Sequence, residues 1–139
     1  MATLPDDVRA LFEGANLAHL ATTMPDGSPH SVAIWAGLEG DRVVFFTQEG
    51  TLKARNIARD PRVAFSITDH EDPYHTAQLR GEVVEVRDAD GGNEIADRLA
   101  LRYTGEPFPA KPPTSRGYVV EIHRVRSMQL PFEHRPPAA

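Results

Sequence analysis

The sequence contains no cysteine, and this absence excludes disulfide bonds, thiolate metal sites and cysteine nucleophiles. No apolar run approaches the roughly 20 residues that a membrane-spanning helix needs. The first nine residues include two acids and have no apolar core of the kind found in a signal peptide. We therefore expect a cytoplasmic protein without a membrane segment. Lysine is also scarce, since only Lys53 and Lys111 occur in the chain.

The composition is that of an ordinary globular protein. The chain has 139 residues, of which 40% are hydrophobic and 25% are charged, which suits one compact domain over residues 1–139. The net charge of −5 disfavours general nucleic-acid binding, because a protein that follows a phosphate backbone needs a basic surface. A local basic patch could still bind a small anion.

Most of the chain has the pattern of short strands separated by turns. Six segments are rich in β-branched and aromatic residues or alternate in polarity, namely 17–23, 29–38, 42–47, 62–68, 74–87 and 117–128. Three short helices are predicted, one from Pro5 to near Gly14, one over Leu52–Arg59 and one over Glu94–Arg102. Gly81 is placed for a bulge in the fifth strand. Together these elements predict a mainly β protein, a six-stranded antiparallel barrel carrying helices at its ends.

Two segments have no regular pattern. The connection from Glu106 to Pro113 contains four prolines and cannot form a helix or a central strand. Residues 129–139 are expected to be a loose tail.

The segment from Thr47 to Asn56 is the most informative for function. A strand ends there in polar residues and Gly50, and a helix opens with Thr51 as a candidate N-cap. Because a helix N-terminus offers free N–H groups and partial positive charge, Lys53 and the nearby hydroxyls could bind a phosphate, with Arg55 closing a fork on it. The alternative is a solvated helix face with an ordinary cap.

The segment His30–Trp35 is a second candidate. Small side chains at Ser31 and Ala33 would let the strand lie along a planar ring, whereas a plain core strand is the alternative interpretation.

Other catalytic arrangements lack support in the sequence. The loop from Asp69 to His75 has metal-ligand residue types, but no spacing directs two imidazoles to one point, so no metal site is predicted. No serine–histidine–acid triad or nucleophile elbow is recognisable, which weakens a hydrolase hypothesis.

Several blocks taken in order resemble one family. They are Leu17–Thr22, Asp26–Val32, Lys53–Ala64, Pro73–Tyr74, Leu79–Val83 and Asp97–Gly105. The chain resembles the actinobacterial deazaflavin-dependent branch of the pyridoxamine-phosphate-oxidase-like split barrels, and the similarity covers nearly its whole length.

This resemblance implies a six-stranded split barrel that forms a homodimer, with a cofactor in a groove at the dimer interface. It assigns Thr47, Lys53, Arg55 and Asn56 to the phosphate end. It places Ser31, Val32, Ala33 and Ile34 along the tricyclic ring, with Tyr74 and Trp35 near it.

The deazaflavin branch uses coenzyme F420 to pass a hydride to an electron-poor small molecule, and the flavin branch uses FMN. The leading hypothesis is therefore an F420-dependent oxidoreductase, and an FMN-dependent oxidoreductase is the alternative within the fold. A protein that binds such a cofactor without turnover is the alternative from another class. The catalytic work would rest mainly with the cofactor, so no catalytic side chain is assigned.

Overall fold

The computed structural model describes residues 2–138. Its three helices are α1 (Asp6–Glu13), α2 (Leu52–Arg59) and α3 (Ala89–Thr104). Its seven strands are β1 (Ala18–Thr23), β2 (Pro29–Ile34), β3 (Gly37–Glu39), β4 (Arg42–Gln48), β5 (Arg62–Thr68), β6 (His75–Arg87) and β7 (Ser115–Gln129). Within residues 2–138, no helix has the length and apolar character needed to cross a bilayer.

The strands form one antiparallel sheet in the order β2-β1-β5-β6-β7-β4-β3. Its two edges, β2 and β3, are joined along the chain by only Trp35 and Ala36. Three residue steps reach about 11 Å at most, so the sheet must curl until its edges lie close together. The edges do not pair with each other, and the sheet is a barrel that stays open along one line, which we call the split.

The split explains why the strand count differs from the sequence-based prediction of six. Residues 29–38 were expected to form one strand, but the structure divides them into β2 and β3. The chain has to pass from one sheet edge to the other at Trp35–Ala36, and Gly37 then packs so tightly that a Cβ there would lie 2.7 Å from a Leu99 methyl carbon. The predicted class, a mainly β split barrel with short helices, is confirmed.

An aromatic chain runs through the barrel interior. Phe12 of α1 meets Phe65 edge-on at 6.4 Å, Phe65 meets Phe45 at 6.2 Å, and Phe45 stacks on Tyr118 at 5.0 Å. Because α1 packs against β3, β5 and β6, its apolar face closes this core.

A second, smaller core lies outside the barrel under α3. It consists of Val44, Val119, Ile95 and Leu99, all with at most 1% exposure. The helix is thereby fixed against β4 and β7, next to the split.

One local feature of the long β6–β7 pair follows from a glycine. The predicted bulge at Gly81 is confirmed, since the register shifts between Arg80 and Gly81, and a Cβ at Gly81 would lie 2.0 Å from the Glu121 carbonyl oxygen.

Helix α3 begins five residues earlier than the predicted start at Glu94. Asp88 caps the helix by accepting the Gly91 N–H at 3.2 Å.

Candidate functional site

A cleft of about 880 Å³ opens beside the split. Five parts of the chain line it: the α1–β1 connection, the end of β2, the end of β4 with the start of α2, one face of α3 and the proline-rich connection up to the start of β7. The lining residues are Leu17, Ala33, Ile34, Trp35, Phe46, Thr47, Gln48, Glu49, Gly50, Thr51, Lys53, Asn93, Ala96, Phe108, Pro112 and Ser115.

One end of the cleft is cationic and rich in hydroxyl groups. Thr51 is the N-cap of α2 as predicted, and its Oγ1 accepts the Ala54 N–H at 3.4 Å. The Thr47 and Thr51 hydroxyl oxygens lie 3.1 Å apart. Lys53 follows in the first turn of the helix and makes no ion pair with any residue from 2 to 138.

The pKa of Lys53 reflects its partly buried position in the cleft. Burial lowers the pKa of its ammonium group, because removal of water disfavours the charged form. The nearest acid in the lining, Glu49, is paired with Arg116. A partly buried cation without a counter-charge is therefore available to a bound anion.

The other end of the cleft is aromatic. The Trp35 ring stacks on Tyr103 with centroids 5.2 Å apart and meets Phe46 and Phe108 edge-on at 6.3 and 6.4 Å. Phe46 and Phe108 also contact each other at 5.3 Å. This end offers flat, apolar surfaces suited to a planar ring.

Four of the predicted cofactor residues come together in this cleft, namely Ala33, Ile34, Thr47 and Lys53. Trp35 joins them. The other two predicted β2 residues lie outside the cleft: Val32 packs against the barrel core, and Ser31 is exposed on the outer face of the sheet.

Three further predicted residues also lie apart from the cleft. Arg55 is exposed on α2. Asn56 is 1% exposed and donates from Nδ2 to the Thr22 hydroxyl at 3.0 Å, which ties α2 to β1. Tyr74 lies in the β5–β6 loop with its ring 5.5 Å from that of Phe132. A role for these residues at the cofactor stays a prediction of the resemblance.

The tail begins with ordered contacts to the same loop. The Leu130 N–H donates to the Tyr74 carbonyl at 3.0 Å, and the His134 ring lies 6.0 Å from Tyr74. Residues 130–134 therefore lie along the loop in this structure.

The sequence reasoning missed the cleft residues that come from distant segments. Asn93 directly precedes the predicted third helix, Ala96 lies inside it, and Phe108 belongs to the predicted irregular connection, so none of the three was a candidate site residue. A large aromatic residue between prolines was the one available signal, because such a side chain needs an apolar surface to cover it.

Comparisons with known proteins agree with this architecture. Residues 4–129 match the pyridoxamine 5'-phosphate oxidase family. Pyridoxine/pyridoxamine 5'-phosphate oxidase of Rubrobacter xylanophilus is 28% identical over 151 positions, which cover 88% of this chain and 69% of that protein.

Solved structures are similar as well. An F420 reductase superposes with a TM-score of 0.78 at 30% identity, covering 88% of this chain and 98% of its own. Protein Rv2991 from Mycobacterium tuberculosis gives a TM-score of 0.77 at 22% identity over 100% of this chain and 94% of its own, which shows a common fold.

The open barrel and these similarities define the class as the split-barrel oxidoreductases of the flavin and deazaflavin type. Within that class, the chain belongs to the pyridoxamine 5'-phosphate oxidase family, whose match spans almost all of the barrel. The family predicted from the sequence blocks is confirmed.

Proposed function

We propose that this protein is a homodimeric oxidoreductase that binds reduced coenzyme F420 in the cleft at the split and directs its hydride to a small electron-poor organic molecule. The observation that carries the proposal is Lys53, a partly buried cation without an ion-pair partner among residues 2–138, which lines the same cleft as the aromatic side chains of Trp35, Phe46 and Phe108. A ligand that joins a phosphate to a planar ring matches both ends.

The residues present fit such a ligand. An anion at the α2 N-terminus would interact with the charge of Lys53 and accept a hydrogen bond from the Thr47 hydroxyl, whereas the Thr51 hydroxyl donates to the Gln48 carbonyl. Ala33 leaves room beside β2 for a flat ring, and Trp35 and Phe46 supply an apolar surface beyond it.

The chemistry divides between ligand and protein. When bound, a reduced deazaflavin would supply a hydride to the electron-poor acceptor: a ring C–H bond breaks, a bond to hydrogen forms on the acceptor, and a proton from bulk solvent completes the two-electron reduction. Lys53 would hold the phosphate, and β2 would flank the ring. Trp35, Phe46 and Phe108 would give the acceptor an apolar surface.

FMN is the second candidate cofactor. Its support is the similarity to the Rubrobacter pyridoxine/pyridoxamine 5'-phosphate oxidase and the general fit of a ring and a phosphate to the two ends of the cleft. A single phosphate-binding lysine serves either molecule, so the choice between them needs a binding measurement.

The homodimer is supported by the outer face of the sheet. Small side chains of Ala21, Ser31, Ala33 and Ser66 lie on this face near the edge strand β2, beside larger polar ones such as His19 and Arg80, so a partner would meet a mixed surface of small and cationic groups. Ala33 also lines the cleft, so a second copy on this face would border the cofactor site.

The test is a parallel titration of the purified protein with F420, FMN and FAD. Protein made in a host without F420 is expected to be nearly colourless, and F420 is expected to bind more tightly than FMN. Reduced F420 is then offered with a panel of quinones, nitroaromatics and unsaturated carbonyl compounds, and its oxidation is followed optically.

The outcomes separate the hypotheses. A stoichiometric yellow flavin after purification supports the FMN alternative and overturns the F420 assignment. Tight binding of F420 with no oxidation by any acceptor supports a binding protein without turnover.

A further inference from the structure

The proline-rich connection forms one wall of the cleft. Residues 106–113, which we call the proline wall, contain neither helix nor strand, yet Phe108 and Pro112 line the cleft. Phe108 contributes the ring that meets Trp35 and Phe46. The shape of the aromatic end therefore depends on a segment with no ladder of backbone hydrogen bonds to hold it.

A carboxylate on α3 contacts the middle of this segment. Asp97 Oδ1 accepts the Phe108 backbone N–H at 3.1 Å and also pairs with the Lys111 ammonium. Lys111 in turn donates to the Phe108 carbonyl at 3.2 Å. Asp97 and Lys111 thus bind both ends of the Phe108 backbone unit and hold it against the helix.

A second contact comes from one turn earlier on the same helix. Asn93 Nδ2 donates to the Pro112 carbonyl at 3.4 Å. Its Oδ1 is buried without a hydrogen-bond partner, and the residue lines the cleft. The side chain therefore ties α3 to the proline wall, while its Oδ1 is shielded from solvent.

We propose that Asp97 is a positioning residue that holds the proline wall in place, and that Phe108, set by this contact, determines which acceptors the aromatic end admits. The role of Phe108 toward an acceptor rests on the proposed function, whereas the contact between Asp97 and the wall does not. Lys111 is a positioning residue of the same kind, since it pairs with Asp97 and donates to the Phe108 carbonyl.

The chemistry of the wall predicts the class of acceptor. The three rings of Trp35, Phe46 and Phe108 favour a planar, apolar molecule. A charged acceptor would find no partner among these three side chains.

The wall can be tested without any cofactor, because Trp35 is the only tryptophan and touches Phe108. Release of the wall should expose the indole to a soluble quencher. Asp97→Ala and Lys111→Ala are expected to raise the acrylamide quenching constant of Trp35 about twofold, as local opening allows. Phe108→Ala should give the same increase. Asp97→Asn keeps an acceptor for the Phe108 N–H and should lie between Asp97→Ala and the wild type.

Glu94→Gln is the matched control. Glu94 lies on the same helix and pairs with Arg98 at 3.6 Å instead of with the wall, so its quenching should equal that of the wild type. Circular dichroism identifies any variant that fails to fold, and Asp97→Asn, the mildest change, then carries the test.

Kinetics with F420 and a planar acceptor give the second measurement. Loss of Asp97 should raise the acceptor KM about three- to tenfold while kcat changes by no more than about twofold, because the residue orients a wall and does not touch the reacting atoms. Quenching and KM that stay at wild-type values in Asp97→Ala but change in Phe108→Ala would overturn the positioning role. If wild-type protein binds neither F420 nor FMN, the proposed function fails, while the quenching result still decides whether Asp97 holds the wall.

Discussion

The indole of Trp35 lies flat on the phenol ring of Tyr103, with centroids 5.2 Å apart and planes 11° from parallel. The Tyr103 hydroxyl donates to the Asn16 carbonyl at 2.6 Å and lies 3.3 Å from both the N–H and the carbonyl oxygen of Ala36. One side chain of α3 therefore fixes the two residues that join the sheet edges.

Replacement of Tyr103 by Phe should separate these two contributions. The stack on Trp35 would remain, but the buried hydrogen bonds would be lost, and the free energy of unfolding should fall by about 1–2 kcal/mol. Urea unfolding followed by Trp35 fluorescence measures this. The control is Tyr118→Phe, since Tyr118 also stacks on a ring, that of Phe45, while its hydroxyl makes no hydrogen bond within residues 2–138. Equal losses in both variants would contradict the role of the Tyr103 hydroxyl.

Lys53→Ala should weaken cofactor binding with little effect on folding. Loss of a charge-assisted hydrogen bond of roughly 1.5–3 kcal/mol corresponds to a Kd about tenfold to a hundredfold higher. Fluorescence titration at low salt measures the change, and the loss should shrink at high salt because ions screen the wild-type contact.

The control for Lys53 has to be a cation far from the cleft. Lys111 does not qualify, since it holds the proline wall through Asp97. Arg135 is exposed and pairs only with Glu133 in the tail. If Arg135→Ala lowers affinity as much as Lys53→Ala, the effect is general electrostatics and the phosphate site is wrong.

The pH dependence of binding should report the same ammonium group. Burial lowers the Lys53 pKa in the free protein, and a bound anion would raise it again. The complex then holds more protons than the free protein between these two values, so affinity should fall as pH rises through that window. Lys53→Arg keeps its charge, and its affinity should stay flat over the same range. A parallel decline in this variant would assign the titration to another group.

Glu39 should make stability sensitive to acid. The guanidinium groups of Arg87 and Arg98 bond to its carboxylate at 2.8 and 2.7 Å and lower its pKa from 4.5 to about 2. The unfolded chain binds the proton more readily, so the stabilisation is complete above pH 4.5 and is lost as pH falls toward 2. Since Glu39 is partly exposed, we expect about 1–2 kcal/mol at pH 7.

Glu39→Gln tests this contribution by urea unfolding at several pH values. Its deficit relative to the wild type should be largest near pH 7 and disappear toward pH 2. Glu85→Gln removes a more exposed partner of the same Arg87 and should cost less. A deficit in Glu39→Gln that is independent of pH would show that the ion pairs are not its cause.

The proposed dimer should be visible by sedimentation as twice the mass of the chain. Arg80 and Arg124 lie directly opposite each other on β6 and β7, on the outer face that a partner would cover. Like charges in this position repel, so Arg124→Glu should stabilise the isolated barrel and weaken an interface arranged around both cations. A wild-type monomer that binds F420 at full affinity would exclude an interface site.

Local sequence patterns were sufficient for much of the fold. Helix α2 begins and ends at the predicted residues because Thr51 caps it and Asp60-Pro61 follows it. In contrast, the predicted third helix begins at Glu94, after Gly91 and Gly92, whereas both glycines lie inside α3. A Cβ on Gly92 would lie 2.5 Å from the Ser115 hydroxyl, so the glycine is needed for close packing that only the tertiary structure reveals.

The candidate site likewise contains residues that a local sequence pattern predicts and residues that only tertiary packing brings to the cleft. Thr47 and Lys53 were predictable, because a polar strand end followed directly by a helix N-terminus is a local pattern typical of an anion-binding site. Phe108 and Asn93 reach the cleft only through the packing of α3 and the proline wall, and no local pattern relates them to β2. Asn56 was predicted at the phosphate end, but it does not line the cleft. Its Nδ2 donates a hydrogen bond to the Thr22 hydroxyl inside the protein.

The two-residue join at the split has a meaning for engineering. Trp35 and Ala36 are the only covalent tie between the sheet edges beside the cleft, so the width of the opening is set by chain length as much as by side chains. Substitution of a residue there changes the lining of the cleft, whereas insertion of a residue would lengthen the connection between the two sheet edges. Variants meant for bulkier molecules are better sought by changing the number of residues at this join than by trimming the rings around it.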